Sequence, residues 1–308
     1  MQEKRGAYRP AWEYRGNNMC TTIIRLLLAA VLMAAGGQMM PAKAGETYQT
    51  CKGFIDSLPT TISSQGVWCL RKDLSTAITS GYAITIATNN VTIVCNDFKI
   101  GGLAGGPGSS ATGIYSDGRQ NAVIRNCNIR GFYHGVLIVG GAGHLVEDNR
   151  LDNNLYSGIW LFDTDNSMVR RNRVYDTGGY LGGGGTFGIA ADADIVDNTV
   201  SGMFTDTAGA NTIGIRSGGR GSQIGRNRVA GLIPGADGGS AIGILAQGGH
   251  QTIDGNRVIA GVPEAVGRGI QAVSESNSFC TGNTVAGWAS PAANSIFDCL
   301  DSGGNAWD

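Results

Sequence analysis

Charged residues, histidines and prolines are scarce in this 308-residue sequence. Only 15% of the residues are Asp, Glu, Lys or Arg, and the formal net charge is −1. Proteins that bind nucleic acid over a broad surface carry a clear positive excess, so no nucleic-acid partner is expected. The 7 prolines stand against 50 glycines, and this ratio suits many tight turns with close backbone approach.

Histidine is limited to His134, His144 and His250. Their spacing relative to cysteine fits no zinc site. Each of the three is interpreted as a turn or surface residue.

One apolar run, Leu26–Ala35, follows Arg25 and precedes the small-x-small sequence Ala42-Lys43-Ala44. This pattern predicts a secretory signal peptide that is cut after Ala44. A retained membrane anchor is the alternative, although the run is short for a span. Residues 1–44 are therefore interpreted as an N-terminal extension and signal peptide. The expected location is secreted or periplasmic, with no stable membrane span after cleavage.

Seven cysteines agree with export. Cys20 would leave with the signal peptide, and the remaining six would permit three disulfides in an oxidising compartment. Buried free thiols are the alternative. The expected pairs are Cys51–Cys69, Cys95–Cys127 and Cys280–Cys299.

A recurring Gly-Ile or Gly-Val dipeptide organises most of the chain. Each one begins a short alternating strand, which is followed by a polar turn, a second strand and a third strand that often begins Asn-x-Val. Successive starts lie 22 to 30 residues apart, a period typical of solenoids. The starts are Gly113, Gly135, Gly158, Gly188, Gly214, Gly243 and Gly269.

Three short strands per repeat predict an all-β fold, a single-stranded parallel β-helix of about eight to nine coils. Alternation places the apolar residues of each strand in inward columns, with Phe98 as the first member of the third-strand column. The β-helix is expected at 83–288. An N-terminal cap with a short helix at Asp73–Thr79 is expected at 45–82, and a C-terminal coil or cap at 289–308.

Asparagines recur at one position between the second and third strands. This turn needs a residue that tolerates the left-handed region, and an inward amide there can bond the turns above and below. The series is therefore interpreted as structural. Its members are Asn96, Asn149, Asn172, Asn198, Asn227, Asn256 and Asn283, with Asn305 near the end.

Arginines follow several of these asparagines and predict an outward basic strip. A solvated face that discourages aggregation and a surface for an anionic polymer are both open interpretations. The strip consists of Arg150, Arg173, Arg228 and Arg257.

The Gly-Ile…Asn-x-Val coils of residues 83–288 resemble right-handed parallel β-helix proteins. This superfamily includes pectate lyases, polygalacturonases and repeats associated with carbohydrate binding and sugar hydrolysis. The resemblance implies a substrate groove along the face of the Gly-Ile strands. It implies little about activity, since the Gly-His-Gly and Arg-Ile-Lys blocks of polygalacturonases are missing and Asp163-Thr164-Asp165 only partly matches their Asn-Thr-Asp block.

Aromatic residues point outward on this face. Tyr115, Trp160 and Phe162 occupy outward positions and would suit stacking against sugar rings. The alternative is that long turns at 178–185, 203–211 and 232–240 cover these rings.

Carboxylates lie beside these rings in sequence. Asp163, Asp165, Asp192 and Asp194, with Arg216 on the next coil, are candidates for uronate chemistry. The carboxylates would hold Ca²⁺ through oxygen ligands, or two of them would act as acid and base on a glycosidic bond. Solvated turn carboxylates are the alternative.

These observations predict an exported protein that binds a polysaccharide, with lyase-like cleavage or modification as the reaction if it is an enzyme. The alternative is a non-catalytic surface or adhesion scaffold. The glycan and the oligomeric state are left open.

Overall fold

The computed structural model describes residues 50–261, 267–273, 277–288 and 296–307. In these residues, short strands form three sheets. Sheet 1 contains Thr60–Ile62, Tyr82–Ile86, Thr112–Asp117, His134–Val139, Ser157–Phe162, Thr186–Ala191, Thr212–Ser217, Ala241–Ala246, Gly267–Ala272 and Ile296–Phe297. Sheet 2 contains Gly53–Phe54, Gly66–Cys69, Val91–Val94, Val123–Arg125, Leu145–Glu147, Met168–Arg170, Asp194–Val196, Gln223–Gly225, Thr252–Asp254, Phe279–Thr281 and Leu300–Asp301. Sheet 3 contains Leu74–Ser75, Lys99–Gly101, Asn128–Arg130, Arg150–Asp152, Arg173–Tyr175, Thr199–Ser201, Arg228–Ala230, Arg257–Ile259, Thr284–Ala286 and Ala306–Trp307.

Every strand pairs in parallel with its equivalents one coil away. Ile159, for example, pairs with Val136 on one side and Ile189 on the other. The chain passes from sheet 1 to sheet 2 to sheet 3 and back, so each coil adds one strand to each sheet. This is the predicted parallel β-helix. Eight strands of sheet 1 have five or six residues, in agreement with the predicted eight to nine coils.

The core is the column enclosed by the three sheets. The predicted inward residues of sheets 1 and 2 are buried in every coil, as shown by Ile114, Ile159 and Val169 at 0% exposure. The predicted column of inward residues in sheet 3 is wrong at its first member. Ile100, not Phe98, pairs with Ile129, because the turn before this strand holds two consecutive left-handed residues, Asn96 and Asp97.

The ends of the described chain continue the same three sheets. The predicted helix at Asp73–Thr79 is wrong, since strand Leu74–Ser75 lies there and Leu74 pairs with Ile100 beside the core. Across the described part of the chain, we find no helix with the length and hydropathy of a membrane span. The predicted signal peptide lies outside the described residues and stays a prediction.

The asparagine series forms a buried ladder. From Asn149 to Asn283, each amide Nδ2 donates to the Oδ1 of the next member, at 3.0 Å for Asn149 and 2.9 Å for Asn283. From Asn149 to Asn283 the left-handed conformation belongs to the preceding residue, such as Asp148 or Arg171, so that part of the interpretation is wrong for these members, whereas Asn96 is itself left-handed as predicted. Asn96 lies outside the ladder and donates to the Leu70 carbonyl at 3.1 Å.

All three expected disulfides are present, at Cys51–Cys69, Cys95–Cys127 and Cys280–Cys299. Cys127 takes the place of a ladder asparagine. Its backbone N–H donates to Asn149 Oδ1 at 3.0 Å, so the covalent link begins where the amide ladder ends. The other two disulfides tie down the first and last coils, where an open solenoid end exposes strand edges.

The glycine of each Gly-Ile pair lies at the corner where sheet 3 turns into sheet 1. A Cβ at this position would meet a valine, isoleucine or leucine of sheet 3 and the carbonyl of the equivalent glycine one coil on, as at Gly113, Gly188 and Gly214. A side chain has no room at this corner, which is why the dipeptide recurs.

Candidate functional site: an aromatic patch on sheet 1

Six rings gather on the outer face of sheet 1, at the end where its strands begin. We call this group the aromatic patch, and all its members are partly exposed. They are Tyr133, His134, Tyr156, Trp160, Tyr180 and Phe187.

The rings of the patch are in mutual contact. Tyr133 and Tyr156 stack with centroids 4.7 Å apart, and Tyr156 stacks on Trp160 at 5.6 Å. Phe187 meets Trp160 edge-on at 5.0 Å. Offset stacks and edge-to-face contacts at such distances are favourable, so the patch is a packed surface whose rings hold one another in place.

The coil repeat explains how these rings come together. Tyr133 and Tyr156 each lie two residues before the glycine that opens a Gly-Ile or Gly-Val strand, on adjacent coils, so the register stacks them. Phe187 directly precedes Gly188 and pairs with Ser157. Tyr180 comes from the turn at 178–185 and meets Tyr133 at 4.7 Å, so this turn contributes a ring to the patch.

His134 is held neutral inside the patch. Its Nδ1 shares a hydrogen bond of 2.7 Å with Ser157 Oγ, and its ring meets those of Tyr133 and Trp160 edge-on. Burial among these rings lowers the pKa of His134 from 6.5 to about 4. His134 is partly exposed on the outer face of sheet 1, and His144 lies in the turn before strand Leu145–Glu147, so both agree with their interpretation as turn or surface residues, although His144 is buried at 1% exposure. His250 is an exposed residue between strands, as predicted.

Two tyrosines of the patch stay protonated far above neutral pH. Burial raises the pKa of Tyr133 to about 12, with further effects from Tyr156 and Tyr180. Burial also raises the pKa of Tyr156, and the positive charge of Arg216 opposes this shift. At physiological pH the patch therefore presents a neutral imidazole and neutral phenols, which are hydrogen-bonding groups without charge.

We expect the free energy of unfolding to fall as the pH decreases from about 6.5 to about 4. The folded-state pKa of His134 lies below its unfolded value of 6.5, so the unfolded chain takes up the proton first and stability is lost with falling pH. The contribution is on the order of 2–3 kcal/mol. Thermal unfolding across this range checks it.

His134→Gln should flatten most of that dependence, and the remainder would come from His144, whose pKa burial also lowers. His250→Asn, at an exposed position, serves as the control and should leave the pH profile unchanged. A profile identical in wild type and His134→Gln would contradict the neutral, buried state of this imidazole.

The other two aromatic residues predicted at the site lie near the patch but outside it. Tyr115 is partly exposed and stacks on Tyr82 with centroids 3.8 Å apart. Its pKa is raised to about 12, chiefly by burial and by Tyr82. Phe162 is 51% exposed at the end of its strand.

The predicted carboxylates lie at the opposite edge of sheet 1, after its strands end. Asp165, Asp192 and Asp194 line a polar cleft of about 330 Å³ together with Arg220. Asp192 Oδ2 accepts the Asp163 N–H at 2.7 Å, and Asp194 Oδ1 accepts the Gln223 N–H at 2.8 Å. Both carboxylates thus bridge turns of successive coils.

Arg216 is separate from this cleft. It lies in mid-strand on the sheet 1 face, in the column that contains Trp160 and Ala190, and its Nε donates to Gln247 Oε1. The structure therefore divides the predicted reactive set, with Arg216 on the side of the aromatic patch. Within the described ranges, no three acidic, histidine or cysteine side chains converge as metal ligands.

A sequence match over half of the chain assigns the protein to a family. A family profile described as "Right handed beta helix region" matches residues 74–229. The chain belongs to the right-handed β-helix family. Comparison of this β-helix with curated protein sequences finds no match.

Solved structures similar to this right-handed β-helix come from phage and bacteria. One is the Dettilon tailspike protein, at 13% identity and a TM-score of 0.46, covering 82% of this chain and 56% of the tailspike. Another is the A-module of a mannuronan C-5 epimerase from Azotobacter vinelandii, at 12% identity and a TM-score of 0.47, covering 80% of this chain and 82% of the module. A third is an alginate lyase from Paenibacillus sp. str. FPU-7, at 13% identity and a TM-score of 0.40, covering 82% of this chain and 99% of the lyase. This β-helix thus spans little more than half of the tailspike's length.

Most of the patch on this right-handed β-helix was missed by the sequence analysis, which identified only Trp160. The available signal was the recurrence of tyrosine two residues before the glycine on adjacent coils, at Tyr133 and Tyr156. Tyr180 gave no such signal, because only the path of its turn brings it to Tyr133.

Proposed function

We propose that this protein binds a polysaccharide on the outer face of sheet 1, with the aromatic patch as its contact surface. The observation that carries this proposal is the packed, partly exposed array of rings around Trp160. Pyranose rings present apolar C–H faces that stack on aromatic rings, and a fixed array binds with little loss of side-chain freedom. The neutral His134 and phenol groups would bond to sugar hydroxyls.

The sugar is proposed to be acidic. Arg216 lies two rungs from Trp160 in the same outward column and is close enough to affect the Tyr156 phenol. A guanidinium at the rim of a ring-lined surface can bind a uronate carboxylate through paired hydrogen bonds. Export is part of the same proposal, and the three disulfides support it because such bonds persist in oxidising compartments.

Binding is favoured over cleavage. Asp192 and Asp194 accept backbone N–H groups between coils, as structural turn carboxylates do. A lyase-like reaction would place Asp163, Asp165, Asp192 and Asp194 with Arg216 at the substrate. The non-catalytic scaffold is the alternative, in which the patch would bind no glycan.

Trp160→Ala is expected to weaken polysaccharide binding by roughly tenfold or more, because it removes the ring that contacts His134, Tyr156 and Phe187. The measurement is affinity electrophoresis against acidic and neutral polysaccharides, with and without Ca²⁺. Absorbance of unsaturated product would reveal lyase activity in the same samples.

Phe279→Ala is the matched control, since Phe279 is an exposed ring on sheet 2 at 46% exposure. It should bind as wild type does. No retention by any polysaccharide, or equal losses in the two variants, would overturn the proposal in favour of the scaffold.

A further inference from the structure

A single file of arginines crosses the outer face of sheet 3. Arg150 pairs with Arg173, and Arg228 pairs with Arg257, with Thr199 on the rung between the two pairs. All four arginines are exposed. Because rungs of a parallel sheet are about 4.8 Å apart, the file extends over about 19 Å along the solenoid axis. We call these four residues the arginine file.

Most of this charge is uncompensated. Arg150 shares Asp152 with Arg130, but over the described ranges we find no ion pair at Arg173, Arg228 or Arg257. Like charges directly opposite on neighbouring strands are destabilising. Folding alone therefore does not explain why two such pairs lie on this face.

The neighbouring corner of the coil shows the contrast. There, Arg171 forms a bidentate pair with Asp148 at 2.8 Å, and Arg226 forms one with Asp197 at 2.8 and 2.9 Å. Acidic and basic residues thus alternate in the corner column, whereas the file two residues further on repeats one sign. The nearby carboxylates of Asp148 and Asp197 are therefore already paired, with Arg171 and Arg226.

Protection against aggregation does not account for the position of the file. Charges that block strand addition are needed on the edge strands of a sheet, which in a solenoid are its first and last coils. The file lies on central rungs, whose strands are paired on both sides.

The chemistry of the file fits a linear polyanion. Guanidinium groups bind carboxylate and sulfate through two parallel hydrogen bonds, and the regular rungs repeat this donor along one line. The file is one residue wide, which suits one extended chain with acidic groups along one side. Single-stranded nucleic acid would need several stacking rings alongside, and among the described residues the ring that contacts a file arginine is Tyr175, beside Arg150.

We propose that the arginine file is a second binding face, which takes an acidic polysaccharide aligned with the solenoid axis. It lies on a different sheet from the aromatic patch and does not depend on the function proposed there. With both faces occupied, the protein would join two polysaccharide chains.

The test is binding of polygalacturonate to the variant Arg173→Gln/Arg228→Gln/Arg257→Gln, in a Trp160→Ala background that weakens the contribution of the patch. The background protein is expected to bind polygalacturonate with an affinity that falls as salt increases. The triple substitution should weaken binding by roughly tenfold to a hundredfold. The fully methyl-esterified polymer, which lacks the charge, should bind weakly to both proteins.

The matched control is Lys52→Gln/Arg71→Gln/Arg119→Gln, which removes the same charge at exposed positions away from the file. Circular dichroism establishes that each variant is folded. If the file variant and the control variant bind polygalacturonate with equal affinity, whether both are weakened or neither is, the proposal is overturned. Polyuridylate bound through the file in place of polygalacturonate would also overturn it, by assigning the face to nucleic acid.

Discussion

Replacing Asn198 by alanine is expected to lower the free energy of unfolding by about 4 kcal/mol, one of the two largest effects predicted here. Asn198 lies in the middle of the buried ladder at 2% exposure. Its amide donates to the Val169 carbonyl at 2.9 Å and to Asn227 Oδ1 at 3.0 Å. Its Oδ1 accepts both the backbone N–H and the side-chain amide of Asn172, at 2.9 and 3.1 Å.

Alanine would leave the backbone N–H of Asn172 buried without its acceptor, at a cost of about 1–3 kcal/mol. The Val169 carbonyl and the Asn172 amide would each lose one hydrogen bond, at about 0.5–1.5 kcal/mol each, although the amide keeps the Val146 and Arg170 carbonyls. For a domain of this size, we expect the melting temperature to fall by roughly 8–16 °C. Denaturant and thermal unfolding of the purified protein are the measurements.

Asn305→Ala is the matched control, at the last rung of the same ladder. Asn305 is only half-buried and its Oδ1 accepts Asn283 groups at 2.9 Å from one side, so water can replace it and the loss should stay below about 1 kcal/mol. Equal losses at Asn198 and Asn305 would show that burial of the ladder contributes little.

Gly214→Ala is expected to destabilise the protein by about 2–3 kcal/mol, although the substitution adds only a methyl group. The new Cβ would lie 2.3 Å from Val229 Cγ1 and 2.7 Å from the Gly243 carbonyl oxygen. The valine can move slightly, but the carbonyl belongs to the backbone of the next coil and cannot. Thermal unfolding would show the loss as a lower melting temperature.

Gly108→Ala is the matched control, because nothing lies within 4 Å of a Cβ at that position. It should be neutral or slightly stabilising, since alanine restricts the unfolded chain. The double variant Gly214→Ala/Val229→Ala should differ from the sum of the two single losses, because one clash is removed. Strict additivity would contradict the proposed collision.

The coil register could be predicted because a solenoid repeats its contacts locally. Ile159 and Ile189 share one environment, so the period was visible along the chain. Of the disulfides, Cys95–Cys127 was expected from adjacent coils, whereas Cys51–Cys69 and Cys280–Cys299 were expected because their cysteines are near neighbours at the two ends. The predicted register is wrong at Phe98, because one turn is longer there. The predicted helix is wrong at the short Leu74–Ser75 strand, because pairing with the next coil prevailed over the local sequence pattern.

The candidate site was less predictable, because outward residues obey no repeat. Trp160 was recognised by its alternation, but Tyr180 reaches the patch through an irregular turn. The acids next to Phe162 in sequence lie at the opposite edge of sheet 1 from the patch, since a six-residue strand separates its two ends in space.

By itself, the sequence determined the all-β solenoid, its inward columns and its asparagine ladder, because each depends on a period that every coil shares. Only the tertiary structure decided which outward side chains meet. Stacking of coils placed His134 beside Tyr156, divided Arg216 from the aspartates, and left Arg173, Arg228 and Arg257 without an ion pair among the described residues while the adjacent corner was neutralised. Such contacts join residues more than twenty positions apart, and their geometry depends on the length of each turn.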